Sequence, residues 1–150
     1  MTAEFKRSCG GCTLCCTEMA VSEISKPMCS KCPSQTATGC GIYEIRPKSC
    51  ADFTCMWMDE PPAGIPHPLA EEERPDRCGV MFHAASDAFT RETGIPMLVV
   101  RGDFVKGADT LARLAGMVVL ILVHASGRRQ LMGPEEWVRE VAKAKIKEFE

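Results

Sequence analysis

Cys9-Gly10-Gly11-Cys12-Thr13-Leu14-Cys15-Cys16 is the stretch on which the reading of this chain turns. A Cys-x-x-Cys turn brings two sulfurs to one side of a tight loop, where both reach one ion. The glycines between Cys9 and Cys12 permit the positive φ angles of such turns and leave backbone N–H groups free to donate to thiolates. A helix over residues 12–16 would set Cys12 on one face with Cys15 and Cys16, three and four residues further on. Cys15 and Cys16 then diverge by about 100°, one facing a centre and the other a second centre or the core. Small buried hydrophobes have no need of this spacing, whereas chelation does.

Working outward, Pro27-Met28-Cys29-Ser30-Lys31-Cys32-Pro33 forms a second knuckle with a proline at each end. A thioredoxin-like redox pair would need its Cys-x-x-Cys at a helix start within a βαβ pattern, which is absent here. The third element runs from Cys40 through Gly41-Ile42-Tyr43-Glu44-Ile45-Arg46-Pro47-Lys48-Ser49 to Cys50, with Cys55 soon after. Of ten cysteines, nine fall in the first 55 residues, a density that marks either a secreted disulfide scaffold or a metal site. Residues 1–8 lack the apolar stretch of a secretory signal. The longest apolar run, residues 116–123, is far short of the roughly 20 residues that span a bilayer. The expectation is a soluble, cytoplasmic protein without membrane association, in a compartment that keeps thiols reduced and so favours metal. A net charge of −2 and a single tyrosine give no case for nucleic acid.

The two longer motifs together resemble a family of small zinc- or iron-chelating proteins named for the run C-x2-C-x2-C-C, here Cys9, Cys12, Cys15 and Cys16. The family's second hallmark, Cys-x-Ile-Tyr-Glu-x-Arg-Pro-x-x-Cys, is matched by Cys40 to Cys50. The resemblance covers about residues 9–57 and implies a cysteine-cluster metal site. A flagellin lysine methylase uses a similar cluster in a much longer protein. The match here is to the cluster alone, and no Gly-rich loop follows a strand to cradle S-adenosylmethionine.

The candidate metal ligands are therefore Cys9, Cys12, Cys15, Cys16, Cys29, Cys32, Cys40, Cys50 and Cys55. A structural zinc takes four ligands, so nine thiols suit two such sites with one left over, or a dinuclear site. A single [4Fe-4S] cluster would use four. The ferredoxin pattern continues with x3-C-P after C-x2-C-x2-C, whereas here Cys16 follows Cys15 directly. Zn2+ is the favoured cofactor, with iron or a [4Fe-4S] cluster as the alternative. Arg46 and Lys48, beside Cys50, are expected to screen thiolate charge. None of His67, His83 and His124 is spaced as a partner of a cysteine pair, and His67, between two prolines, is the best outsider. Cys78 is expected to pack as a small hydrophobe.

Three zones follow: a cysteine-cluster region over 1–57, a Pro-rich connector over 58–77 that forms an extended or wrapping loop, and a small α+β region over 78–150. In the last, residues 78–83, 95–101, 118–124 and 128–132 read as strands, with a hairpin turn at Ala125-Ser126-Gly127. Helices are expected over 109–117 and from Pro134 to Phe149. The expected fold class is α+β: an irregular, metal-organised N-terminal region packed with a β-β-α-β-β-α unit whose helices cover one face of the sheet. Function is expected to be metal binding through the cysteine cluster, with an iron–sulfur redox or enzyme subunit as the alternative. There is no Ser-His-Asp set, P-loop or acid–base carboxylate pair to argue for an enzyme, and the partner implied is a metal ion.

Overall fold

Val119-Leu120-Ile121-Leu122-Val123 is apolar at every position, so a strand made of it is stable only with both faces covered. In the computed structural model, which describes residues 12–53, 55–59, 67–85 and 87–143, all five of these residues are buried in a central strand. Cys9, Ile146 and Phe149 lie outside the described residues. The chain is mixed α+β and divides into two compact units, Met1–Cys78 and Gly79–Glu150. No helix among the described residues is long and apolar enough to cross a membrane.

The second unit is built on a four-stranded sheet of β3 (Val80–Ala84), β4 (Met97–Gly102), β5 (Val119–Val123) and β6 (Arg129–Met132), in that spatial order. β3 and β4 are antiparallel, β4 and β5 parallel, β5 and β6 antiparallel. The β5–β6 hairpin turns through Ala125-Ser126-Gly127 as expected, with Gly127 at φ +85°. Met97, Val119 and Ile121 share one face and pack against Val141, Trp137 and Val138 of α6 (Glu135–Lys143) and Phe89 of α4 (Asp87–Thr93). Phe82, Val100 and Leu122 are aligned in register on the opposite face. There α5 (Ala108–Leu114) buries Leu111 and Leu114. Its preceding Gly107 lies so close to Val80 that an added Cβ would stand 2.6 Å from a methyl.

The observed order is thus β-α-β-α-β-β-α, and helices cover both faces of the sheet, which corrects the expected β-β-α-β-β-α with one covered face. Parallel pairing of β4 and β5 demands a crossover, supplied by α5. The extra helix, α4, has only seven residues and no repeating apolar stripe.

The first unit is mostly irregular. It holds α1 (Leu14–Glu18), a minimal hairpin of β1 (Gln35–Thr36) and β2 (Gly39–Cys40), α2 (Lys48–Asp52) and α3 (Pro75–Cys78), joined by single 3-10 turns. Its buried apolar side chains among the described residues are Val21, Met56, Trp57, Leu69 and Pro75. The end of the expected connector belongs to this unit: Leu69 is 1% exposed, and Ala70 N–H donates to the Glu73 carboxylate at 2.9 Å.

Candidate metal centre

Polar ties, rather than a large apolar core, gather the cysteine segments. The Gln35 side-chain amide donates to Thr13 Oγ1 at 3.0 Å and accepts from Thr17 Oγ1 at 3.3 Å, fixing the β1–β2 hairpin along α1. Glu23 accepts from the Ser49 hydroxyl at 2.6 Å and the Ser49 N–H at 3.2 Å, fixing the start of α2 to the turn Ser22–Ile24. The Glu23 carboxyl is held below its ordinary value, chiefly by that hydroxyl. Cys29 N–H donates to Glu18 O at 3.3 Å and Cys32 N–H to Cys16 O at 3.2 Å, laying the second knuckle against the end of α1.

These ties enclose a cavity of about 230 Å³ in whose wall stand Cys12, Cys15, Cys16, Cys32, Cys40 and Cys50. Apolar side chains such as Val21, Ile24 and Phe53 complete much of the wall. All three cysteine motifs contribute, although Cys12 and Cys50 are 38 positions apart in the chain. Cys12 precedes the helix, which begins at Leu14, so it does not share a helical face with Cys15 and Cys16. It borders the same cavity nonetheless.

The six thiols differ in their electrostatics. Burial pushes the Cys50 thiol up, and the neighbouring Cys16, Cys32 and Cys40 each raise it further. Cys50 therefore feels the other three sulfurs. The Cys16 thiol is pulled down to about 6, first by a hydrogen bond from Cys15 and then, against its partial burial, by the Lys26 charge. Cys12 is raised, chiefly by burial, and lies near the ion pair that Arg74 makes with Asp76 at 2.5 and 2.6 Å.

The other expected ligands stand elsewhere. Cys29 takes a left-handed φ of +60° and is exposed, with its thiol donating to Glu18 Oε2 at 3.5 Å. Cys55 is half-buried at the start of the turn Met56–Met58 and is not in the cavity wall. Cys78, never expected to ligate, donates its thiol to Glu73 O at 3.3 Å. The nine described cysteines are not joined to one another by disulfides. Among the described residues, no group of three or more Cys, His, Asp or Glu side chains is gathered tightly enough to hold a metal ion as it stands.

His67 is occupied structurally. Its Nδ1 accepts from Leu69 N–H at 3.0 Å, which leaves Nε2 to carry the proton and donate to Met56 O at 3.1 Å. Of the two expected screening cations, Arg46 stands in the cavity wall with its guanidinium 4.1 Å from the Tyr43 ring centre. Lys48 points away, with its side chain 83% exposed and paired to Asp52. The cation that sequence reasoning missed is Lys26, only 6% exposed, whose ammonium donates to Thr17 O and Pro27 O, each at 3.2 Å, and to Met19 O. A single lysine between Ser25 and Pro27 looks like a surface loop residue. The one available signal was Pro27, which favours extended backbone at the residue before it.

Compared with family models, curated proteins and solved structures, the chain matches none.

The thiol electrostatics lead to a labelling pattern. In reduced protein whose cysteine segments keep the described arrangement, brief treatment with iodoacetamide at pH 6.5 should modify Cys16 first. Its thiolate fraction exceeds that of an ordinary thiol by roughly two orders of magnitude. The lower nucleophilicity of a low-pKa thiolate returns about half of that advantage in logarithmic terms, leaving about a tenfold excess in rate. Peptide mass spectrometry reads the sites directly, and equal or faster labelling of Cys50 would contradict the assignment.

Proposed function

We propose that residues 12–50 form a polythiolate metal centre, with Cys16, Cys32, Cys40 and Cys50 as ligands and Cys12 and Cys15 as further thiols at its edge. The observation that carries this reading is the convergence of six cysteines from three separated motifs on one cavity. Cys50 and the three sulfurs that act on it make four, the ligand count of a structural zinc. Among the described residues no three ligand side chains are set to hold an ion as they stand, and a metal that organises its own ligands supplies binding energy as folding energy. The motif resemblance to zinc- and iron-chelating proteins points the same way. Cys29 and Cys55 are left outside this centre, and the protein acts as a metal-binding module of the cytoplasm.

Zinc is the first choice of metal. One observation favours an iron–sulfur cluster as a second reading: a cavity of about 230 Å³ is several times the roughly 30 Å³ share of one water molecule, more than a single ion needs. Elemental analysis and a visible spectrum on protein purified without oxygen separate the two. Colourless protein with about one zinc ion per chain is expected, from four thiolates per zinc. Brown protein that bleaches reversibly on reduction would select the cluster. Protein free of both zinc and iron, and unable to take up either, would end the proposal.

A further inference from the structure

The cavity has more room and more sulfur than one zinc ion uses. Its volume of about 230 Å³ exceeds the roughly 150 Å³ in which a cavity lined by Leu, Ile and Phe takes up benzene. Four thiols complete a structural zinc, and Cys15 stands in the wall beyond those four. Cys15 and Cys16 are consecutive on α1. Neighbouring side chains on a helix diverge by about 100°, yet both of these stand in the wall of one cavity. The Cys15 thiol hydrogen-bonds the Cys16 sulfur, so the two sulfurs lie side by side. One turn further on, Met19 donates its N–H to Cys15 O at 3.1 Å and stands in the same wall. Val21, Ile24 and Phe53 extend that apolar surface. A vicinal dithiol and an apolar surface thus border one space.

Valence selects the ligand for such a pair. Zinc in a four-thiolate site spends all four bonds on sulfur and has no place for a carbon substituent. Mercury(II) with one organic group has a single bond left, and one thiol satisfies it. Trivalent arsenic with one organic group has two, the number that a dithiol offers. We propose that Cys15 and Cys16 bind an organic derivative of trivalent arsenic, whose apolar substituent fills the space bordered by Met19, Val21, Ile24 and Phe53. Among the described residues no three ligand side chains are set to hold an ion as they stand, whereas two sulfurs suffice here. The ligand enters as R–As(OH)2. Each thiol proton leaves with a hydroxide as water, so two As–S bonds replace two As–O bonds and no oxidation state changes. The inference rests on the reading of the cavity thiols as ligands for soft ions, and it adds a second ligand class. Because Cys16 belongs to both sets, zinc and the arsenical compete for it.

The full chain, as purified and after zinc loading, is titrated with phenylarsonous and methylarsonous acids. Native mass spectrometry reads the adduct, a zinc indicator reads displaced zinc, and peptide mapping after alkylation locates the two blocked thiols. Each affinity is divided by that of the same arsenical for dithiothreitol, which offers two thiols and no apolar wall. On this scale phenyl should exceed methyl by roughly 10–100-fold, the effect of burying one aromatic ring. Cys15→Ser should weaken the phenyl adduct by roughly 100-fold or more, because the second bond is no longer intramolecular. Cys50→Ser, expected to lose zinc, should still form the adduct at Cys15 and Cys16. Phe53→Ala should lower the phenyl preference roughly tenfold while leaving methyl binding unchanged. If Phe53→Ala does not fold, Ile24→Ala, at a position 40% exposed, carries the same readout. A phenyl preference no greater than that of dithiothreitol, or an adduct that maps to other cysteines, would overturn the proposal while leaving zinc binding intact. Protein that takes phenylarsenic at Cys15 and Cys16 but neither zinc nor iron would instead end the metal-centre reading and leave the dithiol site standing.

Discussion

Stripping the metal with a strong chelator is expected to release residues 12–59 into fast hydrogen exchange while β4 and β5 remain protected. Among the described residues, the first unit buries four large apolar side chains, Val21, Met56, Trp57 and Leu69, whereas the second buries fifteen. Chain ordering costs about 1–2 kcal/mol per residue in backbone entropy alone. Four side chains cannot offset that over the first unit, and ties such as Gln35 to Thr13 contribute only about 0.5–1.5 kcal/mol each. A structural zinc supplies on the order of 10–16 kcal/mol of apparent binding free energy, enough to decide whether the cysteine segments are ordered. The second unit has its own sheet with both faces covered and needs no such help. Uniform loss of protection along the whole chain would mean that the two units stand or fall together. Full protection of residues 12–59 without metal would mean that metal has no structural part.

Replacing Cys50 by Ser is expected to abolish tight metal retention, the largest effect anticipated for a single substitution. Cys50 sits on α2, and its thiol feels Cys16, Cys32 and Cys40 together, so it is the sulfur that links the hairpin and the knuckle to the third motif. Serine leaves an open position for water in a site that depends on deprotonated sulfur. Cys40→Ser should behave alike, and Cys12→Ser should lower metal content less completely. Cys29→Ser and Cys78→Ser should retain full metal, since those thiols bond to Glu18 and to the Glu73 carbonyl instead. Metal-to-protein ratios on the purified variants read the ranking. Full loading of Cys50→Ser together with loss in Cys78→Ser would reverse it.

The second unit was largely legible because its signals are local. The apolar run of β5, the Ser126-Gly127 turn and the amphipathic start of α6 each announce themselves within a dozen residues. What was not legible there was α4: in Asp87-Ala88-Phe89-Thr90-Arg91-Glu92-Thr93 only Phe89 is a large apolar residue, and periodicity needs more than one. Covering both faces of the sheet likewise depends on the parallel pairing of β4 with β5, which no local pattern encodes.

In the first unit the density of cysteines was plain, but their partition was not. Motif spacing treats Cys29 and Cys32 as one chelating pair. The backbone separates them, because Cys29 adopts φ +60° and faces solvent while Cys32 stands in the cavity wall. Spacing likewise put Cys12 on a helix that in fact starts two residues later. Arg46 and Lys48 are only two positions apart, yet one lines the cavity and the other pairs outward with Asp52. Lys26 carried no motif at all. Its role depends on three carbonyls that come together only once α1 and the turn after it are formed.

The central claim is that the cavity cysteines ligate a metal, and X-ray absorption at the metal edge of the loaded full-length protein tests it most directly. The account predicts a first shell of sulfur alone at about 2.3 Å with four scatterers for zinc. That shell should be retained in Cys78→Ser and lost in Cys50→Ser. A first shell of nitrogen and oxygen at about 2.0–2.2 Å, unchanged by Cys50→Ser, would contradict it.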